Sequence, residues 1–292
     1  MEVNQVFCSK CGTKVKFNLQ SDILTKKKGF MKIIKLISCI IIVTFLLIFI
    51  NAIFGNPVSK YIVKKEATNY IEDKYPNNDY NIEKLFYSFK DSRYHVFIKS
   101  NSSKDTYFSV SYDSMGNIIY DNFNTLVKNK HNTYDRINTK YSKKVENILN
   151  KLSYKSDIDY GQIQSSDYTN EMINFGIDIS TLELDKKYDI YELGKKYGSI
   201  TYYVYDKEVS ENKIKEILLN LKKEFDLNKT SFYTVNIYLK NIEGFETKKY
   251  DKKINIESYL YRDINEETID SKIKESIIRT KEHNDKLEKE GY

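Results

Sequence analysis

A chain of 292 residues with 40% hydrophobic side chains, two prolines and ten glycines excludes collagenous and low-complexity structure and can bury a sizeable core. Its net charge of +6 is confined to the first 35 residues, where eight lysines face only Glu2 and Asp22. The remainder is neutral, which excludes the electrostatic footprint of a nucleic-acid binder.

The first feature in chain order is half a metal site. Cys8 and Cys11 in "FCSKCGTKV" have the spacing of one zinc knuckle, with Gly12 where such knuckles turn. Tetrahedral zinc takes four ligands, and no further Cys, His or paired acid follows before the apolar segment. The stretch resembles the first knuckle of the short zinc ribbons at the N-termini of many bacterial membrane proteins, in which a second C-x-x-C-G closes the site. Here that second pair is missing. Four readings stay open: a knuckle that holds no metal, one zinc shared by two chains in a homodimer, a site completed by another protein, and a redox dithiol. The last is disfavoured, because no thioredoxin-like βαβ pattern surrounds the pair.

From Leu36 to Phe54 runs "LISCIIIVTFLLIFINAIF", 19 residues without a charge. As a helix this spans about 29 Å, close to the ~30 Å hydrocarbon core of a bilayer. It is longer than the apolar region of a signal peptide and has no small-x-small cleavage site after it. Lys26, Lys27, Lys28, Lys32 and Lys35 crowd its N-terminal flank, so the positive-inside bias places the N-terminus in the cytoplasm and residues 55–292 outside the cell membrane. Cysteine usage agrees: Cys8 and Cys11 fall on the reducing side, Cys39 lies in the apolar run, and the outer part has none.

Beyond the span the pattern is α+β. Val58, Tyr61, Ile62, Tyr70, Ile71 and Tyr75 recur at helical spacing until Pro76. Two strand-like runs surround Lys90–Arg93, and Asp113–Asn117 reads as a hairpin turn with Gly116 available for positive φ. A second helix carries Tyr134, Ile137, Tyr141, Val145, Ile148 and Leu152, with Asn132 or Thr133 as its cap. "KSDIDYGQIQSSDYTNE" reads as a linker, a strand is expected near Asn174–Thr181, and "GKKYG" (Gly194–Gly198) reads as a turn. Ile200, Tyr202 and Val204 alternate as a strand. Ser210 caps a helix with Ile214, Ile217, Leu218, Leu221 and Phe225 on one stripe. Val235, Ile237 and Leu239, then Ile254, Ile256 and Leu260, give two more strands, and a last helix starts near Asn265. The expected organisation is a cytoplasmic half ribbon (1–31), a transmembrane helix (32–54), a helix-plus-meander unit (55–155) and a β-α-β-β-α mixed-sheet unit (156–292).

The run from "FGNPVSKYIVKKEATNYIEDKYP" to "YDSMGNIIYD" resembles the N-terminal domain of the YfjL-like family of bacterial membrane-anchored proteins. "YGSITYYVYDKEVSENKIKEILLNLKKEF" and "ESYLYRDI" resemble that family's C-terminal domain. The resemblance implies an anchored, two-part α+β ectodomain and brings no catalytic or binding residues with it.

Motifs for catalysis are missing. His95, His131 and His283 do not cluster in sequence, and no G-x-S-x-G, Walker A or G-x-G-x-x-G occurs. "DIDYGQ" (Asp157–Gln162) begins like a calcium loop, but Tyr168 stands where a bidentate Glu belongs. Tyr203 and Tyr205 alternate with Tyr202 and Val204, and Tyr259 and Tyr261 flank Leu260; either set could stack on a glycan or peptide, or simply fill a half-exposed sheet face. The expectation is a non-enzymatic binding or sensing module of the bacterial envelope, with a protein, peptide or glycan as its ligand. The rival readings are an envelope enzyme with an acidic site and a zinc-dependent regulator acting through Cys8 and Cys11.

Overall fold

In the computed structural model the residues described are 6–7, 9–15, 19–76, 79–168, 174–245 and 252–290. They form an α+β chain: a long N-terminal helix, an antiparallel four-stranded sheet and then a mixed four-stranded sheet. By packing, the chain resolves into two compact units. One comprises residues 1–74, 84–96 and 111–119, the other 75–83, 97–110 and 120–292.

The chain opens with a small antiparallel hairpin, β1 (Val6–Phe7) against β2 (Lys14–Val15), with Val6 opposite Val15. Helix α1 (Leu19–Phe54) follows, and from Phe30 to Ala52 its side chains are exposed. It is long and apolar enough to cross a membrane.

Three residues then stop one helix and start the next. Gly55 takes φ +69° at the end of α1, its N–H bonded to Asn51 O at 2.9 Å. Asn56 Oδ1 accepts from Ser59 N at 2.9 Å, and Pro57 is the first residue of α2 (Pro57–Lys74). Only glycine fits at position 55, because a Cβ there would stand 2.7 Å from both Tyr94 Oη and Tyr87 Cγ. Tyr94 Oη completes the junction by accepting from Asn56 N at 2.8 Å.

The buried stripe of α2 is Ser59, Val63, Ala67 and Ile71, an i, i+4 row of small and branched residues. Val58 and Tyr61, expected on that stripe, are exposed. Strands β3 (Tyr80–Ser88), β4 (Arg93–Ser100), β5 (Tyr107–Tyr112) and β6 (Ile118–Asp121) pair in chain order, as the meander reading expects. Gly116 has the expected positive φ, and Asp113 Oδ1 closes that turn on Met115 N and Asn117 N.

Helix α3 (His131–Leu149) carries three stripes. Ile137, Tyr141, Val145 and Ile148 enter the core. Tyr134, Asn138 and Ser142 face strand β7 (Asp159–Ile163), the edge of the second sheet, and seal its outward backbone groups. Asn138 Oδ1 accepts from Ile163 N at 2.8 Å, Tyr134 Oη donates to Ile163 O at 2.6 Å, and Ser142 Oγ donates to Gly161 O. The third stripe is basic: Arg136, Lys140 and Lys144. Asn132 and Thr133, expected to cap α3, lie inside it and bond elsewhere; the residue before the helix is Lys130 at φ +63°.

Strand β7 lies in the stretch expected to be a linker. Helix α4 (Ile190–Tyr197) replaces the expected turn at Gly194–Gly198 and runs directly into β8 (Gly198–Asp206). A Cβ on Gly194 would stand 2.7 Å from Tyr141 Cε2 and collide with Ser231 O, so this glycine admits the tyrosine. The expected strand at 174–181 is an isolated bridge at Ile177 followed by a 3-10 turn. Helix α5 (Glu211–Leu227), capped by Ser210 Oγ on Lys213 N, makes the crossover to β9 (Thr234–Asn241), which runs parallel to β8. Strand β10 (Lys253–Leu260) pairs antiparallel with β9, and a bulge at Ser258 puts Tyr259, rather than Leu260, into the core. Helix α6 (Ile269–Glu290) begins after Asn265 Oδ1 has accepted from Thr268 N, four residues beyond the expected start.

Candidate functional site

The second unit holds an open cleft of about 810 Å³. Three pieces of backbone build it. Helix α3 supplies Lys140 and Lys144, the segment entering α4 supplies Lys187, Tyr188, Asp189 and Tyr191, and the end of α5 supplies Asp226 and Lys229. The lysines on α3 sit there because its basic stripe is adjacent to its core stripe. Lys229 is presented by a residue at φ +46°, just after α5 ends.

Four lysines face two aspartates, and both aspartates have other work. Asp189 Oδ1 caps α4, accepting from Tyr191 N at 2.8 Å and Glu192 N at 3.4 Å. Asp226 accepts from Tyr261 Oη and lies 3.9 Å from Lys222 Nζ. Burial, and then the bond to Asp226, push the Tyr261 phenol above its ordinary range, so it stays a donor. Lys140, Lys144, Lys187 and Lys229 have no carboxylate within 4.0 Å among the described residues. Tyr191 is exposed and Tyr188 half-buried, so ring surface lies beside the ammonium groups.

The cleft can therefore hold an anion against amphipathic rings. Its lining contains no serine, threonine, cysteine or histidine. Sequence reading missed it because its lysines come from three separate segments of a lysine-rich chain. The stripe at Arg136, Lys140 and Lys144 was the only local signal.

A second polar cluster lies in the first unit. Ser111 Oγ is 2.9 Å from His95 Nδ1, and His95 Nε2 is 3.0 Å from Asp91 Oδ2. The order Ser–His–Asp is that of a hydrolytic relay. Ser111, however, is only 5% exposed, so its hydroxyl is no accessible nucleophile. The cluster ties β5 and β4 to the turn after β3.

Of the cysteines, Cys8 lies outside the described residues. Cys11 is exposed in the turn between β1 and β2, its Sγ 2.9 Å from Thr13 Oγ1, next to Gly12 at φ +67°. No group of three or more His, Cys, Asp or Glu placed to hold a metal occurs among the described residues. Of the tyrosine rows, Tyr259 and Tyr205 are buried. Tyr203 remains half-exposed, stacked on Tyr238 with ring centroids 4.4 Å apart.

Two family models match the chain: the YfjL-like N-terminal domain over residues 30–122 and the YfjL-like C-terminal domain over residues 140–275. No curated protein and no solved structure matches it.

Proposed function

The chain belongs to the YfjL-like family, and from that premise we propose that it is a single-pass, membrane-anchored module that binds a polyol-phosphate polymer of the bacterial envelope. The observation that carries this reading is the cleft with two tyrosine rings and four lysines that, among the described residues, have no carboxylate within 4.0 Å, in a region of zero net charge. Ammonium groups take the phosphates, the tyrosine rings pack against the polyol carbons between them, and no chemical step is required of the module. The lysine-rich flank of α1 supports an outward orientation of residues 55–292.

The test is titration of detergent-solubilised full-length protein with poly(glycerol phosphate), with neutral dextran as control. Binding should weaken about threefold for each lysine of the cleft changed to Ala, since an exposed charge pair contributes roughly 0.2–1 kcal/mol. It should weaken further with added salt. Equal binding of dextran, or polymer binding indifferent to those lysines, would refute the reading.

The β1–β2 hairpin around Cys11 and Gly12 supports a second, cytoplasmic role: one zinc shared by two copies, each giving the Cys8 and Cys11 thiolates. Purified under reducing conditions, the protein should then hold one zinc per two chains, lost together with the dimer in Cys11→Ser. Metal-free dimers would contradict the idea.

A further inference from the structure

The segment bearing Lys187 and Tyr188 is fixed from outside the cleft, by a buried ion pair. Asp105, whose side chain is 1% exposed, lies in the turn between β4 and β5. It receives Arg136 Nε at 2.5 Å and Nη2 at 2.7 Å, Thr133 Oγ1 at 3.0 Å and Asp185 N at 2.8 Å. Asp185 answers in the opposite direction: its Oδ1 accepts from Lys104 N at 2.8 Å and Asp105 N at 3.1 Å. Arg136 Nη2 also donates to Lys186 O at 3.0 Å. The two residues before Lys187 are thus both pinned to one pair, and Asp185 is held at φ +61°, a conformation a non-glycine residue rarely keeps without such support. Arg136 stands one helical turn before Lys140 on the same stripe of α3, so a single helix face sets both the pinned segment and the α3 lysines.

We propose that Asp105 and Arg136 are positioning residues for the cleft: their pair fixes the backbone at 185–186 and so places Lys187 and Tyr188 for the anion. This rests on the reading of the cleft as an anion site. Neither residue lines the cleft.

The test is a set of mutant cycles on detergent-solubilised full-length protein, with poly(glycerol phosphate) as the probe. Arg136→Lys keeps the charge but loses the two-pronged grip and the bond to Lys186 O. It should weaken binding about threefold, matching Lys187→Ala at the figure expected for one exposed charge. The double variant Arg136→Lys/Lys187→Ala should be no weaker than either single one, whereas Arg136→Lys/Lys229→Ala should show the product of the two effects. A folded Arg136→Lys protein with unchanged affinity, or full multiplication with Lys187→Ala, would overturn the positioning role while leaving the cleft reading intact. Indifference to both Lys187→Ala and Lys229→Ala would overturn the cleft reading and the role that depends on it. If Arg136→Lys does not fold, Thr133→Val, which removes one hydroxyl bond to Asp105, takes its place in the same cycles and is judged by the same pattern.

Discussion

Asp105 shows how one residue gathers the physics of its surroundings. Burial pushes its carboxyl up, but the bonds from Arg136, Asp185 N and Thr133 outweigh that and hold it below the ordinary carboxylate range. A carboxyl whose pKa is depressed by folding adds stability above its unfolded pKa of about 3.9, and that stability is lost as pH falls through the lower folded value. Acid unfolding of the second unit should accordingly shift to higher pH in Asp105→Asn, as followed by circular dichroism; an unchanged acid midpoint would show that the pair adds nothing. Arg136→Ala leaves the charge buried and unpaired and should cost about 3–5 kcal/mol in denaturant titrations. Little at this scale was legible in the sequence. Asp105 is one acid among 41 Asp and Glu, and its partners lie about 30 and 80 positions away.

Elements were legible wherever periodicity was sustained. The stripe Ile214–Ile217–Leu218–Leu221–Phe225 and its Ser210 cap fixed α5, and alternation fixed β8 and β9. Three elements escaped for physical reasons. Strand β7 reads as a linker because one of its two inward positions is Gly161, where Val145 of α3 packs too close for a side chain, which leaves DYGQI with little apolar pattern. Helix α4 is eight residues long and contains a glycine needed for Tyr141. The start of α6 was misplaced because Asn265 closes a turn before the helix instead of capping it directly. The sealing of β7 is testable: Asn138→Ala should destabilise by about 1–3 kcal/mol, the cost of leaving the Ile163 N–H buried without its acceptor. A loss under 0.5 kcal/mol would mean that water replaces it. Because this edge is closed, strand addition at β7 is disfavoured as a binding mode.

For the whole molecule, charge is unevenly placed: the basic excess lies in the N-terminal flank and the bulk of the chain is neutral. Helix α1 exposes Phe45, Leu47, Ile48 and their neighbours along its length, which a bilayer would cover. The sequence made that helix plain, because 19 uncharged residues in a row have few other uses. It could not show the cleft, which exists only once α3, α4 and α5 have packed.

The central claim is that the cleft faces outward while the knuckle faces the cytoplasm. The most direct measurement is labelling of intact, wall-stripped cells with a membrane-impermeant maleimide, using Lys229→Cys and the native thiols, since residues 55–292 contain no cysteine of their own. The account predicts that Lys229→Cys is labelled in intact cells and protected by added poly(glycerol phosphate), while Cys8 and Cys11 react only after permeabilisation. Labelling of Cys8 and Cys11 in intact cells, with Lys229→Cys reached only after lysis, would contradict it.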